Sequence, residues 1–325
     1  MLKDIKENMG IAEANAEAEL TLTDDEVRTL LDMIDEGYTP TDEEIAALKK
    51  VERIRLDSIP QSIDLLANLK ELDLGFSKIT GLNDIEYLTN LQVLNLMGTD
   101  ITDLSGIEYL TNLQELDLSE TWITDLSGIK NLTNLQVLCL SGVNIDDLSK
   151  IEYPTGLRKL FLESTNITAL DGIDKLTNLQ VLYLSEMKID DLSGIENLTN
   201  LQTLDLRFMP ISNLNFIKNL TNLQVLSLCQ SQIDSGELEK LAKLKNLTHI
   251  DLTDLKLTRI PLCLLELNLP FDTTSVCLPC NDDRGIFLHG TELTQQPISL
   301  FEQDRSLIDE YYRMELKLSE NSSLT

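Results

Sequence analysis

The chain has 325 residues, of which 42% are hydrophobic but only 5% aromatic, so aliphatic side chains must fill any core that it forms. Its 55 acidic and 26 basic residues give a net charge of −29. We therefore expect neither a nucleic acid nor a membrane surface as partner, because both attract clustered Lys and Arg, and we expect a basic protein partner instead.

The N-terminal residues 1–21 form an acidic tail that is predicted to be frayed or disordered. They contain no apolar core of a secretory signal, and no run of 18 apolar residues in the chain predicts a membrane span. The five cysteines are irregularly spaced, which is typical of reduced thiols. The sequence therefore predicts a cytoplasmic location.

Residues 22–50 are predicted to be a helical N-terminal cap. Thr23 with Glu26 and Thr41 with Glu44 are two capping boxes, in which each side chain satisfies backbone amides at a helix start. Short amphipathic helices are expected after each box.

Residues 51–260 carry a repeated pattern, L-x-x-L-x-L-x-x-x-x-I-x-D-L-S-G-I-x-x-L-T-N, preceded by a degenerate copy at Val51. The copies begin at Leu69, Leu91, Leu113, Leu135, Leu157, Leu179, Leu201, Leu223 and Leu247. In each copy, L-x-L alternation predicts a short strand with leucines inward, and the later three-residue spacing predicts a 3-10 return. One copy cannot bury its own aliphatic side chains, so the copies must stack. This pattern predicts an α/β leucine-rich-repeat solenoid, a right-handed superhelix with a parallel sheet on its concave face and a 3-10 or irregular convex side.

Polar positions within the copies also have predicted structural roles. Asparagines precede the strands and are expected to form a ladder between neighbouring turns. The residue Asp125 before L-S-G is expected to cap the following amides. Lys150, Pro154 and Gly156 break the pattern, so an irregular convex side is predicted in the copy that begins at Leu135.

Residues 261–325 depart from the period and are predicted to be an irregular repeat and a helical C-terminal cap. A strand is expected near Ile286–Leu288, and a helix from about Ile298 to Leu316.

Two groups of residues raise the question of chemistry. Cys263, Cys277, Cys280 and His289 have a spacing that zinc ligands can adopt, although buried or free thiols are the alternative. His249 and Asp251 could orient a base, but no motif supplies a nucleophile and no GxxxxGK[ST] phosphate loop occurs. We therefore predict a non-enzymatic protein without a cofactor.

The outward positions of the strands are expected to form a solvated acidic face, lined by Glu71, Asp73, Glu115, Asp117, Asp205 and Asp251. Large side chains interrupt it, and aromatic residues and Arg are enriched at binding hot spots. The predicted partner-binding residues are Phe76, Met97, Trp122, Lys159, Phe161, Glu163, Tyr183, Glu186, Arg207 and Phe208. Phe161 and Tyr183 occupy the same position in consecutive copies, so their rings should be adjacent. The alternative is that these side chains merely cover the sheet.

The unit D-L-S-G-I-x-x-L-T-N-L-Q-x-L, over about 69–246, resembles the repeats of internalin-like bacterial leucine-rich-repeat proteins. That resemblance implies a horseshoe or shallow arc that binds protein partners on the sheet. The stretch Gly285–Leu293, then Pro297-Ile298, then a helical stretch ending Asp309–Tyr312, is similar to the last repeat and exit helix of Roco-type proteins, in which a GTPase domain follows.

The sequence thus predicts a protein-binding module that captures its partner on the concave face. The alternatives are a regulatory or sensing arm of a Roco-type GTPase assembly, and a bacterial effector or adhesin.

Overall fold

The described part of the chain is a stack of short strands, each followed by a short return segment. The computed structural model describes residues 20–257, 261–267, 269–272 and 284–291. Within them, twelve strands form one parallel sheet. The strands are β1 (Arg53–Arg55), β2 (Glu71–Asp73), β3 (Val93–Asn95), β4 (Glu115–Asp117), β5 (Val137–Cys139), β6 (Lys159–Phe161), β7 (Val181–Tyr183), β8 (Thr203–Asp205), β9 (Val225–Ser227), β10 (His249–Asp251), β11 (Phe271–Asp272) and β12 (Gly285–Phe287).

The 3-10 segments form the opposite side of the stack, and α-helices occur before and between the strands. The α-helices are α1 (Asp24–Asp35), α2 (Asp42–Leu48), α3 (Ser235–Leu238) and α4 (Leu262–Glu266). The 3-10 segments are Gln61–Leu66, Ile85–Tyr87, Ile107–Tyr109, Ser127–Asn131, Leu148–Lys150, Ile173–Lys175, Ile195–Asn197, Asn215–Asn219 and Glu239–Lys243. The predicted leucine-rich-repeat solenoid, with a parallel sheet and a 3-10 side, is therefore confirmed.

Aliphatic layers between the two sides form a continuous core. In the copy that begins at Leu113, the side chains of Leu113, Leu116, Leu118, Ile123 and Ile129 are at most 1% exposed. Each such burial contributes roughly 1.5–3 kcal/mol. Because the strand register places equivalent leucines side by side, as with Leu94 and Leu116, every layer is closed by the copies on either side of it.

Two polar ladders run along the stack. The predicted asparagine ladder is confirmed: Asn90, Asn112 and Asn134 donate from Nδ2 to main-chain carbonyls of the preceding copy at 2.8–2.9 Å. The same bond recurs at Asn178, Asn200, Asn222 and Asn246. The second ladder was not predicted. Threonines at the ninth position, such as Thr99 and Thr121, donate from Oγ1 to the carbonyl three residues earlier at 2.6–2.7 Å.

The predicted turn caps on the 3-10 side also form. Asp125 accepts the backbone amide of Ser127 at 2.8 Å, and Asp191 accepts that of Ser193 at 2.9 Å. The copy that begins at Leu135 is irregular, as expected. Its 3-10 segment Leu148–Lys150 lies earlier in the copy than its neighbours do, and Ile151 then adopts an extended conformation.

The N-terminal side of the stack is closed by α1 and α2. Both predicted capping boxes are present, at Thr23–Glu26 and Thr41–Glu44. Val27, Leu30 and Leu48 are at most 1% exposed and join the core. These helices cover the aliphatic layer that the first strand would otherwise leave open to water.

The C-terminal side departs from the simple strand order. Strand β12 pairs with β10 and separates it from β11, which forms the edge. The strand predicted near Ile286–Leu288 is therefore present as β12. The helix predicted over 298–316 lies outside the described residues. In the part of the chain that the structure describes, no helix is both long and apolar enough to cross a bilayer.

The asparagine ladder generates a testable prediction. Asn134→Ala removes the bond to the Thr111 carbonyl, and the expected loss of unfolding free energy is about 1 kcal/mol. The measurement is equilibrium urea unfolding. The control is Asn144→Ala, because Asn144 only accepts a side-chain bond from Asn166 at the exposed surface, and its loss should stay under about 0.5 kcal/mol. Equal losses in the two variants would contradict a structural role of the ladder.

Candidate functional site on the solvent side of the sheet

The sheet face is defined here as the side chains at the first and third positions of each strand, which point away from the core. From β1 to β10 and then β12, the third-position residues are Arg55, Asp73, Asn95, Asp117, Cys139, Phe161, Tyr183, Asp205, Ser227, Asp251 and Phe287. Parallel pairing places neighbours in this row about 4.8 Å apart. These side chains therefore form one continuous row, in which charged, polar and aromatic residues follow one another along the sheet.

Five of the eleven third-position residues have a structural task. Asp73 accepts the backbone amide of Gly75 at 2.9 Å, and Asn95 accepts that of Met97 at 3.0 Å. Asp117, Asp205 and Asp251 make the same bond to the residue two positions on. These short polar side chains cap the turn that leads out of the strand.

Phe161 and Tyr183 replace this polar cap with an aromatic pair. Their ring centroids lie 4.9 Å apart with the planes at 64°, an edge-to-face arrangement. The predicted adjacency of the two rings is confirmed. Both side chains remain partly exposed. Neither side chain can accept the hydrogen bond from the turn amide that an Asp or Asn accepts. The pair therefore does not stabilise the turn.

Phe76 and Phe208 lie in the turns that follow β2 and β8, and both have unfavourable backbone conformations. Their φ angles are +62° and +60°, in the left-handed region that a bulky residue rarely adopts. They are nevertheless 61% and 45% exposed. The Phe76 ring lies so close to Gly98 that a Cβ at Gly98 would be 2.7 Å from it.

The ten predicted binding residues fall into three groups along the sheet. Phe76, Met97 and Trp122 lie at the strand-exit edge of the first copies, and Trp122 is 67% exposed. Lys159 and Phe161 lie on β6, and Tyr183 lies on β7. The remaining four, Glu163, Glu186, Arg207 and Phe208, follow β6, β7 and β8. The second and third groups are close together, whereas the first is separated from them by β5.

Charges on the sheet face are distributed unevenly. At the N-terminal end, Arg53 contacts Glu71 at 3.2 Å and Arg55 contacts Asp73 at 3.7 Å. Farther along, Glu163 accepts a bond from the Ser141 hydroxyl. Burial raises the pKa of the Glu163 carboxyl, and the bond from Ser141 opposes that shift.

The expected solvated acidic face is wrong at Asp205 and Asp251, which are 0% and 1% exposed. The Asp205 carboxylate is held by the Arg207 guanidinium, with Nη2 at 2.7 Å and Nε at 2.9 Å. Burial raises the pKa of the Asp251 carboxyl, and its bonds with Thr253 oppose that shift. His249 is also buried, at 8% exposure, and its ring stacks on that of Phe287 with the centroids 6.2 Å apart.

The three cysteines that the structure describes are poorly ionised. Burial raises the pKa of Cys139, Cys229 and Cys263 to about 12 in each case. The thiolate is the nucleophilic form of cysteine, so these three residues are poor nucleophiles at neutral pH.

Only two of the four candidate zinc ligands lie within the described residues. The thiol of Cys263 is buried and donates to the Leu238 carbonyl at 3.0 Å, whereas His289 is exposed. Cys277 and Cys280 lie outside the described residues. Among the residues that the structure describes, no cluster of three or more His, Cys, Asp or Glu side chains could hold a metal ion.

Comparisons with known proteins agree with this architecture. A family model for leucine-rich repeats in two copies matches residues 89–121, 111–153, 155–197 and 177–219. No curated protein sequence matches the chain significantly.

Solved structures of the same fold come from several organisms. An internalin from Listeria monocytogenes is 23% identical with a TM-score of 0.64, and the match covers 82% of this chain and 80% of that one. A leucine-rich-repeat protein from Leptospira interrogans is 25% identical with a TM-score of 0.62, over 76% of this chain and 63% of that one. The ectodomain of a plant receptor kinase from Arabidopsis thaliana, solved with CASPARIAN STRIP INTEGRITY FACTOR 2, is 20% identical with a TM-score of 0.56, over 77% of this chain and 32% of that one.

The protein is thus a leucine-rich-repeat solenoid, a fold typical of protein–protein interaction modules. Its structure is similar to those of a bacterial internalin and of the Leptospira protein.

The buried ion pair generates the second prediction. Arg207→Ala leaves the Asp205 carboxylate buried without its partner, so we expect a loss of about 3 kcal/mol in unfolding free energy. Asp205→Ala combined with Arg207→Ala should lose less than Arg207→Ala alone, because no uncompensated charge remains. Urea unfolding measures both.

Arg55→Ala is the matched control, since its contact with Asp73 is longer and its side chain is 55% exposed. Its loss should stay under about 1 kcal/mol. If Arg207→Ala were as mild as Arg55→Ala, Asp205 would not depend on its guanidinium partner.

Proposed function

We propose that the protein is a non-enzymatic binding module that captures a protein partner on its sheet face, centred on Phe161 and Tyr183. The observation that carries this proposal is the replacement of a turn-capping Asp or Asn by an aromatic pair in two consecutive copies. The sheet loses two capping bonds there and exposes aromatic surface to water. A binding role accounts for side chains that neither cap the turn nor fill the core.

Nearby residues fit a hot spot around this pair. Phe208 is 45% exposed and keeps a left-handed backbone that glycine or asparagine would adopt with less strain. Lys159 lies on the same strand as Phe161 and is exposed. In many interfaces, a few partly buried aromatic side chains at the centre carry most of the binding energy, and polar side chains surround them.

The charge of the chain supports a basic partner. Glu115 and Glu120 are exposed, as is Glu186, and the net charge is −29. Carboxylates around an aromatic centre accelerate the approach of a basic partner and make association sensitive to salt. The plant receptor ectodomain, solved with its factor, shows the same fold in a complex.

A cytoplasmic location and a bacterial origin remain part of the proposal. Cys139, Cys229 and Cys263 are free thiols, which is typical of a reducing compartment. The bacterial assignment rests on the similarity to internalin-like repeats. An effector or adhesin role is the alternative that follows from the same similarity.

The second alternative, an arm of a Roco-type assembly, rests on the segment from Gly285 onward. In its described part, β12 is followed by Thr291, whose Oγ1 donates to the Leu288 carbonyl at 2.7 Å. Ninth-position threonines make the same bond in earlier copies, so Gly285–Thr291 completes a repeat. The rest of the resemblance lies outside the described residues.

The double variant Phe161→Asn with Tyr183→Asn tests the proposed site. Asparagine at this position caps the turn in β3, so the thermal unfolding temperature should stay within a few degrees of the wild type. Capture of the partner should be abolished. Affinity capture from a lysate followed by mass spectrometry identifies the partner, and titration then measures a loss of at least tenfold.

Tyr87→Asn with Tyr109→Asn is the matched control. These tyrosines also occupy consecutive copies, but they lie in 3-10 segments and are 55% and 59% exposed. This variant should bind as the wild type does. Retained binding by the Phe161/Tyr183 variant, or loss in the control alone, would place the partner elsewhere.

A further inference from the structure

A patch of aromatic and acidic side chains lies where the chain leaves β2, β3 and β4. We call it the exit-edge patch, and its residues are Phe76, Met97, Asp100, Glu120 and Trp122. Phe76 is 61% exposed, and Trp122, at 67%, is the most exposed large hydrophobic residue that the structure describes. Equivalent positions in the next copy along hold Gly142 and Asn144. The repeat itself therefore does not require aromatic rings at these positions.

The Phe76 ring is presented to water at a conformational cost. A bulky residue rarely adopts a φ angle of +62°, and glycine or asparagine would relieve the strain. The ring lies against Gly98 of the next copy, where a Cβ would be 2.7 Å from it. It neither fills the core nor satisfies a backbone group of the turn. The strained backbone and Gly98 thus hold a rigid aromatic surface in the open.

Carboxylates lie on both sides of Trp122. The Trp122 amide donates to the Ile101 carbonyl at 3.2 Å, which places Trp122 beside Asp100. Glu120, two residues before Trp122, is exposed. The Lys78 ammonium lies 3.8 Å from the Asp100 carboxylate, and the Lys78 side chain is 85% exposed. The patch thus already attracts one loosely held cation, and most of the indole remains accessible.

We propose that the exit-edge patch binds arginine side chains of a basic protein segment. The face of an indole attracts a cation more strongly than any other aromatic ring does. A guanidinium is planar, so it can stack on Trp122 and donate to a neighbouring carboxylate at the same time, whereas an ammonium is a point charge. The Phe76 ring offers an apolar surface to the aliphatic stem of an arginine.

The charge of the chain favours the same occupant, because a net charge of −29 draws a basic segment towards the patch. This inference goes beyond the proposed function. Strand β5 separates the exit-edge patch from the Phe161–Tyr183 pair, so arginine binding here requires no partner on that pair.

The fluorescence of Trp122 reports on the patch directly, because it is the only tryptophan in the chain. The probe is a synthetic peptide of alternating glycine and arginine, compared with lysine and citrulline peptides of the same pattern. Titration into the full chain at low salt should give a saturable change in emission with the arginine peptide. The lysine peptide should bind at least threefold more weakly, and the neutral citrulline peptide should cause no change. Equal affinities for the arginine and lysine peptides, or no saturable change, would overturn the proposal.

A pair of charge variants tests the carboxylates. Asp100→Asn with Glu120→Gln should weaken binding of the arginine peptide at least fivefold, because both acceptors beside Trp122 lose their charge. The control, Asp146→Asn with Asp174→Asn, removes as many charges from exposed positions in or next to 3-10 segments. Its affinity should stay within twofold of the wild type. Equal losses in the two variants would mean that the peptide responds to net charge alone, which contradicts a site at this patch.

Phe76→Asn separates binding from folding. Asparagine tolerates the left-handed backbone better than phenylalanine does, so the unfolding temperature should not fall, while the affinity for the arginine peptide should drop at least threefold. Tyr109→Asn removes an equally exposed ring from a 3-10 segment and should leave the affinity unchanged. A lower unfolding temperature or an unchanged affinity in the Phe76 variant would overturn the role of this ring.

The variant Phe161→Asn with Tyr183→Asn makes this test independent of the proposed function. Its affinity for the arginine peptide should stay within twofold of the wild type, whatever happens to capture of the partner. A large loss of peptide binding in this variant would place the arginine site on the sheet face and contradict the proposal.

Discussion

Stacking of aliphatic layers between consecutive copies is the interaction on which the whole structure depends. A single copy presents leucines and isoleucines that it has no means to bury, and only the neighbouring copies exclude water from them. The fixed register between strands aligns these layers, as it aligns Leu94 with Leu116. The asparagine and threonine ladders satisfy the backbone groups that such tight stacking would otherwise leave unpaired. Most of the stability therefore resides on the inward side, and outward positions that neither cap a turn nor form a buried ion pair are free to vary.

This division explains which features could be predicted from the sequence. The period of the pattern identifies the inward leucines and the asparagine ladder, and it places Phe161 beside Tyr183. Each of these follows from the position within a copy. The capping boxes were also predictable, because they depend on residues three apart in sequence.

Other features depend on neighbours that differ from copy to copy, and the sequence pattern did not reveal them. Alternation places Asp205 and Asp251 outward correctly, yet it cannot show that they are buried or that the Arg207 guanidinium holds the Asp205 carboxylate. The left-handed backbone of Phe76 and Phe208 was missed for a different reason. The turns after β2 to β10 and after β12 share this geometry, and most of them have residues other than Phe there. The insertion of β12 between β10 and β11 follows from irregular C-terminal packing, which has no repeat to reveal it.

The central claim is that the sheet face around Tyr183 receives the partner. Site-specific photo-crosslinking tests it most directly, with a benzophenone amino acid placed at position 183 in one variant and at position 109 in another. Both positions carry tyrosine, but position 183 lies on the sheet face and position 109 in a 3-10 segment. The account predicts one discrete crosslinked adduct in a cell lysate from position 183 and none from position 109. A discrete adduct from position 109 alone would contradict it.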